Sequence, residues 1–398
     1  MLGDLLFTRN NRRGGLDLLR ILIIAWPCIH KGGAERWWYY VLNELRNTNC
    51  SYFITVPLSL NLGCYKCPAM LRSSNVSLVY MNSRRSVLLD LILWIKVLIN
   101  VIRNNSIDII VAGYQTPRIV LVAILASIIS KRRCFVVFHM PIGWLPYYRG
   151  VELSRVHKPL VKIYEFLNRY LSFFIFCSPS VVYDLKRVHL KATRFCSAKG
   201  SGVIVPSMIN YRAYESRNID IIHLASISKI KGANDVLLVI KKIKEKVPNI
   251  RAVIVGGISD SLKEEIQSML KDYGIEDNVK ILGYVDEFKK FDLLAKSKVM
   301  VYPSYMDTFA ISVLEALSMG TPVVAYGIPA IKINYRTNAV AKAQTGNIDD
   351  LVEKTLKLLS DKQSWEKLSK EAMNFAVTYS WSAIAKSFLA CVSEGLRE

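Results

Sequence analysis

The stretch "YPSYMDTFAISVLEALSMGTPVVA" (residues 302–325) runs from the end of one apolar strand candidate, Val299–Tyr302, through a helix-like segment into the next, Pro322–Tyr326. Short apolar strands separated by a helix mark parallel pairing, because parallel neighbours need a crossover between them. Two acids, Asp307 and Glu315, sit eight positions apart in this apolar segment. Asp307 precedes the helix, so the amides of Phe309, Ala310 and Ile311 are expected to be free and open to a ligand. Glu315 is flanked by Val313, Leu314, Ala316 and Leu317, surroundings in which an ionised carboxylate needs strong partners. Sugar or ribose hydroxyls would serve. Ser312-x-x-Glu315 also matches a capping box, in which Glu315 would bond back to its own helix start.

Outward from this stretch the same alternation continues. Ile219–Ala225, Arg251–Val255 and Val279–Leu282 read as strands, with amphipathic helices over Asn234–Lys246, Ser261–Tyr273 and Glu287–Ala295. The first half repeats the pattern with Arg20–Ala25, Tyr52–Val56, Leu78–Met81, Ile107–Ala112, Phe135–Phe138 and Phe173–Cys177 as strands. Parallel sheets covered on both faces follow, and with them two Rossmann-like α/β domains in tandem. The reading places the first domain over residues 1–203, with 1–19 a loose extension, a linker over 204–218, and the second domain over 219–378. Three helices are expected past Gly346, and the last, within 379–398, is a candidate to cross back onto the first domain.

The 398 residues are 52% hydrophobic, enough for sizeable cores, and the formal net charge is +21. Residues 1–200 hold 27 Lys+Arg against 9 Asp+Glu, whereas residues 201–398 hold 26 against 23. The basic half invites a polyanion. Zinc-finger spacing, an RNA-recognition signature and a long basic tract are all missing from the sequence, so nucleic acid is not the expected partner. The longest apolar runs, Val87–Ile102 and Ile119–Ile129, fall short of the ~20 residues of a membrane-spanning helix. An anionic membrane surface fits better, through "GWLPYYRGVELSRVHKPLVKIYEFLNRY" (residues 143–170), which interleaves aromatic rings with Arg149, Arg155, Lys158, Lys162 and Arg169. Trp37 and Trp38 are candidates to add to that surface. Seven of the eight cysteines lie in the first half, and Cys64-x-x-Cys67 has no second pair at zinc spacing. Buried small hydrophobes are the expected role.

In open parallel sheets, ligands sit at the carboxyl ends of the strands. "HKGGAE" (30–35), "FHM" (138–140), "SKIKGAND" (228–235), "VGGISD" (255–260) and "GYVDE" (283–287) all fall there. Gly32 and Gly33 let a backbone approach an anion, or else make a tight strand-to-helix turn. Lys231 before Gly232 is a compact charge suited to phosphate, or else a solvated lysine.

With "SKIKG", "VIVGG", "VKILGYVDE", the opening stretch and "YSWSAIAKSFL" in order behind "GGAE" and "FHM", the chain resembles the retaining glycosyltransferases of family 4, or glycosyl transferases group 1. The resemblance implies a GT-B fold, two Rossmann-like domains facing a central cleft. It implies a nucleotide-diphosphate sugar held mainly by the second domain. Glu315 would hold the ribose hydroxyls. Asp307 would lie beside the sugar, with the amides of Phe309, Ala310 and Ile311. Lys231 would support the diphosphate with Gly32 and Gly33, Tyr284 and Val285 would border the base, and His139 would lie near the transferred sugar. Neither metal nor cofactor is expected, because fixed positive charge and helix amides take the leaving charge. The chain departs from the family in having Asp307 where a Glu is usual and Ser226 where an arginine binds phosphate, with Lys229 a candidate substitute. The linker also reads Pro206-Ser207-Met208 in place of Pro-Asn-Gly.

The expected function is a retaining hexosyltransferase acting on a membrane-proximal, lipid-linked or other glycan. Such a protein would be cytoplasmic and peripheral at the inner face of the membrane. The alternatives are a catalytically weak nucleotide-sugar-binding subunit and a nucleotide-sugar epimerase.

Overall fold

The computed structural model describes residues 19–25, 33–57, 70–81, 87–139, 166, 170–187 and 194–397. The chain divides into two compact units, the first over residues up to 201 together with 381–397, the second over 202–380 for the described residues. The break falls at 201/202, two residues before the expected linker, and the C-terminal helix belongs to unit 1.

Unit 1 is built on seven parallel strands in the order β3-β2-β1-β4-β5-β6-β7. They are β1 (Arg20–Ile24), β2 (Ser51–Pro57), β3 (Val76–Met81), β4 (Ile109–Ala112), β5 (Arg133–Phe138), β6 (Phe173–Phe176) and β7 (Phe195–Ser197). Its helices are α1 (Gly33–Leu45), α2 (Val87–Asn104), α3 (Pro117–Ser130), α4 (Pro179–Arg187) and the distant α12 (Trp381–Arg397). β4 and β6 are buried at every residue, as continuous Ile/Val/Phe runs covered on both faces must be.

Trp37 and Trp38 are buried in this core. Trp37 donates from Nε1 to the Gly200 carbonyl and Trp38 to that of Gly113, both at 2.7 Å, and Phe388 of α12 packs edge-on against both rings. They therefore face no membrane, which corrects the sequence reading. A stripe of large rings at i and i+1 on an amphipathic helix satisfies its N–H groups inward when carbonyls lie within reach.

Cys196 of β7 and Cys391 of α12 form a disulfide across 195 residues. Cys50 and Cys134 are free and buried and Cys177 is buried, whereas Cys64 and Cys67 lie outside the described residues. For the bonded pair, the role of small hydrophobe is replaced by a covalent staple, which sequence spacing could not disclose.

Unit 2 carries six parallel strands in the order β10-β9-β8-β11-β12-β13. The strands are β8 (Ile219–Leu224), β9 (Ala252–Val255), β10 (Val279–Gly283), β11 (Ser297–Tyr302), β12 (Val323–Tyr326) and β13 (Val340–Ala343). Around them pack α5 (Ala233–Lys244), α6 (Asp260–Asp272), α7 (Glu287–Ala295), α8 (Ile311–Ser318), α9 (Pro329–Asn334), α10 (Ile348–Ser360) and α11 (Lys362–Val377). The order reverses between β8 and β11, so the loops leaving these two central strands meet at the switch point. Arg217, 1% exposed, ties the far ends of α7 and α8 together by donating to the carbonyls of Leu294, Ser297 and Met319. Burial pushes its guanidinium down to about 10, still fully charged at neutral pH.

Among the described residues no single helix is long and apolar enough to cross a membrane.

Candidate functional site

The loop after β8 turns through a 3-10 segment, Lys229–Lys231, and enters α5 at Gly232, whose φ of 74° and close approach to the Pro303 carbonyl both demand glycine. That approach brings Lys231 against the loop after β11. Its Nζ donates to the Asp307 Oδ2 at 2.6 Å and to the Met306 carbonyl at 3.1 Å. Asp307 accepts from Tyr302 Oη at 2.5 Å on the same oxygen, and its Oδ1 accepts from the amides of Thr308, Phe309 and Ala310 at 2.8, 3.2 and 2.8 Å. Burial opposes the charge of this carboxylate, but Lys231 and the other donors more than offset it, and Asp307 is lowered to about 2. Burial likewise opposes the charge of Lys231, and Asp307 reverses that, raising the ammonium above its ordinary value.

The amides of Phe309 and Ala310, expected to be free, are therefore engaged. An aspartate one residue before a turn of amides folds back on them as an Asx cap does, and its own carboxylate takes the place of a ligand. Ile311, the first residue of α8, has no acceptor for its amide among the described residues. Ala310 has φ 62° and ψ 62°, a left-handed conformation that costs a non-glycine residue of order 1–2 kcal/mol. It is held there from both sides, by Asp307 on its amide and by Tyr335 Oη, 2.8 Å from its carbonyl. Asn334 of α9 anchors the same loop through the Thr308 carbonyl at 3.1 Å.

Glu315 lies inside α8, 5% exposed, with Oε1 at 2.6 Å from Nζ of Lys290 on α7. Lys290 is itself buried and also holds Glu287 Oε1 at 2.9 Å. The capping-box alternative falls away, because the cap of α8 is Ala310 and Ser312 is already helical. The strong partner that a buried carboxylate needs is a lysine on the neighbouring helix. Sequence reading missed Lys290, although a lysine within the apolar stripe of Phe291, Leu293 and Leu294 is a visible anomaly. Tyr302 escaped it too, hidden as an ordinary strand aromatic.

The remaining expected residues are more dispersed. Tyr284 is 81% exposed beside Gly283, whose φ is 67°, and Val285 is half-buried. Ser226 is exposed after β8. Lys229, the candidate substitute for the missing arginine, pairs with Glu265 at 3.2 Å. Behind Lys231, in β8, His223 is fully buried. Its Nδ1 lies 3.0 Å from the Val301 carbonyl and its Nε2 has no protein partner among the described residues. Burial, with the Lys231 charge adding to it, lowers His223 to about 4.

In unit 1, Gly33 opens α1, and Gly32 lies outside the described residues. His139 follows β5 and is buried, with Nε2 at 3.1 Å from the Gly113 carbonyl and with Trp37 and Tyr114 against its ring. Burial lowers it to about 4, so its imidazole is neutral at physiological pH.

A lysine fixed beside an ionised carboxylate at the switch point, a helix start with an unpaired amide, and a buried acid about one turn on suit an anion with hydroxyls beside it. Comparison with known proteins gives this arrangement a family. The family model for glycosyl transferases group 1 matches residues 211–375, nearly all of unit 2. Unit 2 is a glycosyl transferases group 1 domain. Lys231, Glu315 and Asp307 all lie within the group 1 match. D-inositol 3-phosphate glycosyltransferase of Mycobacteroides abscessus is 29% identical over 160 residues, 39% of this chain and 35% of that protein. Sulfoquinovosyl transferase SQD2 of Arabidopsis thaliana is 27% identical over 265 residues, 62% of this chain and 48% of that protein. The matches thus span about a third to a half of these curated relatives.

Among solved structures, sucrose-phosphate synthase of Thermosynechococcus elongatus superposes with a TM-score of 0.76 at 15% identity, covering 95% of this chain and 99% of that one. Anabaena HepE, solved with UDP and glucose, gives 0.70 at 17%, covering 94% and 99%. At these identities the likeness speaks for the fold, which is GT-B.

Proposed function

We propose that the chain is a glycosyltransferase that moves a sugar from a nucleotide-diphosphate sugar to a membrane-proximal, lipid-linked glycan with retention of configuration. The observation that carries this reading is Lys231, held by Asp307 at the switch point of a group 1 domain. Asp307 and Met306 fix the Lys231 ammonium at the switch point, where its charge can meet a phosphate oxygen. Lys231 then neutralises the diphosphate as the glycosidic bond breaks, aided by the amide at the start of α8. Glu315 takes the ribose hydroxyls, and Tyr284 with Val285 borders the base. HepE, solved with UDP and glucose, supports a donor of this class.

Asp307 is the positioning residue of this scheme. A carboxylate lowered to about 2, with both oxygens already accepting hydrogen bonds, is a weak base. His139, neutral and bonded to Gly113, holds the end of β5. In this scheme the acceptor hydroxyl attacks from the face the diphosphate leaves and passes its proton to that leaving group, a route to retention that calls on neither a side-chain base nor a metal or cofactor. The charge split favours an acceptor near an anionic surface, on the inner face of the membrane. The segment first assigned to that contact, residues 143–170, lies outside the described residues except for 166 and 170.

A thermal-shift screen against UDP, GDP and ADP sugars tests the donor site. A ligand at 100 times its Kd stabilises by about 2.7 kcal/mol, and Lys231→Ala should abolish the shift. No shift with any donor would overturn the assignment. The second reading, a catalytically weak binding subunit, is favoured by Ser226 standing exposed where the family resemblance implies an arginine, with Lys229 committed to Glu265. It predicts donor binding with no product in acceptor extracts.

A further inference from the structure

α2 and α3 lie side by side on one face of the unit 1 sheet, and their joint is polar. Asp90, 2% exposed, receives Nη2 of Arg118 at 3.0 Å, and the same guanidinium lies 4.4 Å from the centre of the Trp94 ring. Asp90, Trp94, Leu98 and Ile102, spaced by four, form the buried stripe of α2. The opposite faces carry Leu89 and Ile92 on α2 and Leu121, Ile128 and Ile129 on α3, all between 38% and 55% exposed. Rossmann-layer helices ordinarily turn charged residues outward. These turn out branched aliphatics, five of them on adjoining helices.

Charge says what covers them. Over residues 87–133 the acids are Asp90, buried in its ion pair, and Asp108, against Lys96, Arg103, Arg118, Lys131, Arg132 and Arg133. Both helices cross between parallel strands in the same sense, so their C-terminal ends lie at one edge of the sheet. Arg103 at the end of α2 and Lys131 and Arg132 at the end of α3 are exposed there. The rim of the aliphatic face is therefore cationic. A second copy of the chain would set like charges against each other, whereas an anionic leaflet answers both features, with headgroup phosphates on the cations and acyl boundary on the aliphatics.

We propose that the outer face of α2 and α3 is a docking surface for an anionic phospholipid membrane. It is distinct from the donor site of unit 2, and lipid binding should occur whether or not sugar transfer does.

Co-sedimentation with phosphatidylcholine vesicles, with and without phosphatidylglycerol, tests this in the absence of donor. The full chain should bind the anionic vesicles and release from them in high salt. The triple substitution Leu121→Ser, Ile128→Ser, Ile129→Ser and the reversal Lys131→Glu, Arg132→Glu should each weaken binding at least about tenfold, with the melting temperature and nucleotide-induced shift unchanged. If the triple variant proves unstable, the reversal at exposed positions decides alone. Equal binding to neutral vesicles would overturn the proposal, as would loss only when Arg155, Lys158 and Lys162 become Glu. So would a triple variant that turns a dimer into a monomer by light scattering while still binding vesicles, because the face would then be a protein interface.

Discussion

The two acids of residues 302–325 are both withdrawn from solvent, yet they are satisfied in opposite ways. Asp307 has three backbone amides on one oxygen and Lys231 with Tyr302 on the other. Glu315 has its close ion pair with the side chain of Lys290 on another helix. Donors that belong to the acid's own loop cannot leave without unfolding it, so Asp307 builds the loop and fixes the lysine. A donor on a flexible four-carbon stem can swing aside, so Glu315 can exchange Lys290 for ligand hydroxyls. In the proposed scheme one carboxylate shapes the site, and the other meets what enters it.

The strongest way to break this contrast is Asp307→Ala. It strands Lys231, releases the loop amides and removes the restraint on Ala310, and should cost about 3–5 kcal/mol with loss of donor binding. Denaturant unfolding measures the first and a nucleotide thermal shift the second. Glu315→Ala should cost less, about 2–3 kcal/mol, because Lys290 keeps Glu287. Donor affinity should fall as well. Retained affinity would mean that Glu315 serves stability alone.

Acid titration sharpens the comparison further. Asp307 is depressed from 3.8 to about 2, so its stabilisation is fully present above pH 4 and disappears as pH falls through 2. The shift corresponds to about 2 kcal/mol. The stability gap between the wild type and Asp307→Asn should accordingly narrow by that amount between pH 4 and 2. The smallest effect is expected from replacing the whole Glu315 pair, as Glu315→Leu with Lys290→Met. Apolar replacement of a buried ion pair is close to neutral, within about 1 kcal/mol, while donor binding should stay lost. Restored binding would remove Glu315 from the site.

The contrast also shows what the sequence could carry. Strand and helix periodicity made the tandem α/β architecture legible, since β9 and β12 are uninterrupted apolar runs and α7 has a continuous stripe. The three-residue β7 and the strand β13, with Lys342 inside it, offer too short or too mixed a pattern to register. At the site, Lys231 and both acids stood out because charged residues beside apolar runs are costly and need a reason. Their partners did not stand out. Lys290, Tyr302 and Tyr335 reach the site through tertiary packing between elements, and no local spacing encodes which oxygen a lysine will find. The same limit hid the Cys196–Cys391 bond.

Unit 1 is discontinuous, and that sets a timetable for making the protein. α12 supplies Phe388 against Trp37 and Trp38, Trp381 against Tyr40, and the Gly395 and Leu396 carbonyls to Arg133, yet it emerges from the ribosome only after residues 202–380. At 5–20 residues per second, those 179 positions (380 − 202 + 1) take roughly 10–35 s. Unit 2, contiguous over its described residues, can close on itself during that interval, while the aromatic seat of α12 stays uncovered on the nascent chain. The segment translated first is thus completed last, and its apolar seat is a natural client for a chaperone during that wait.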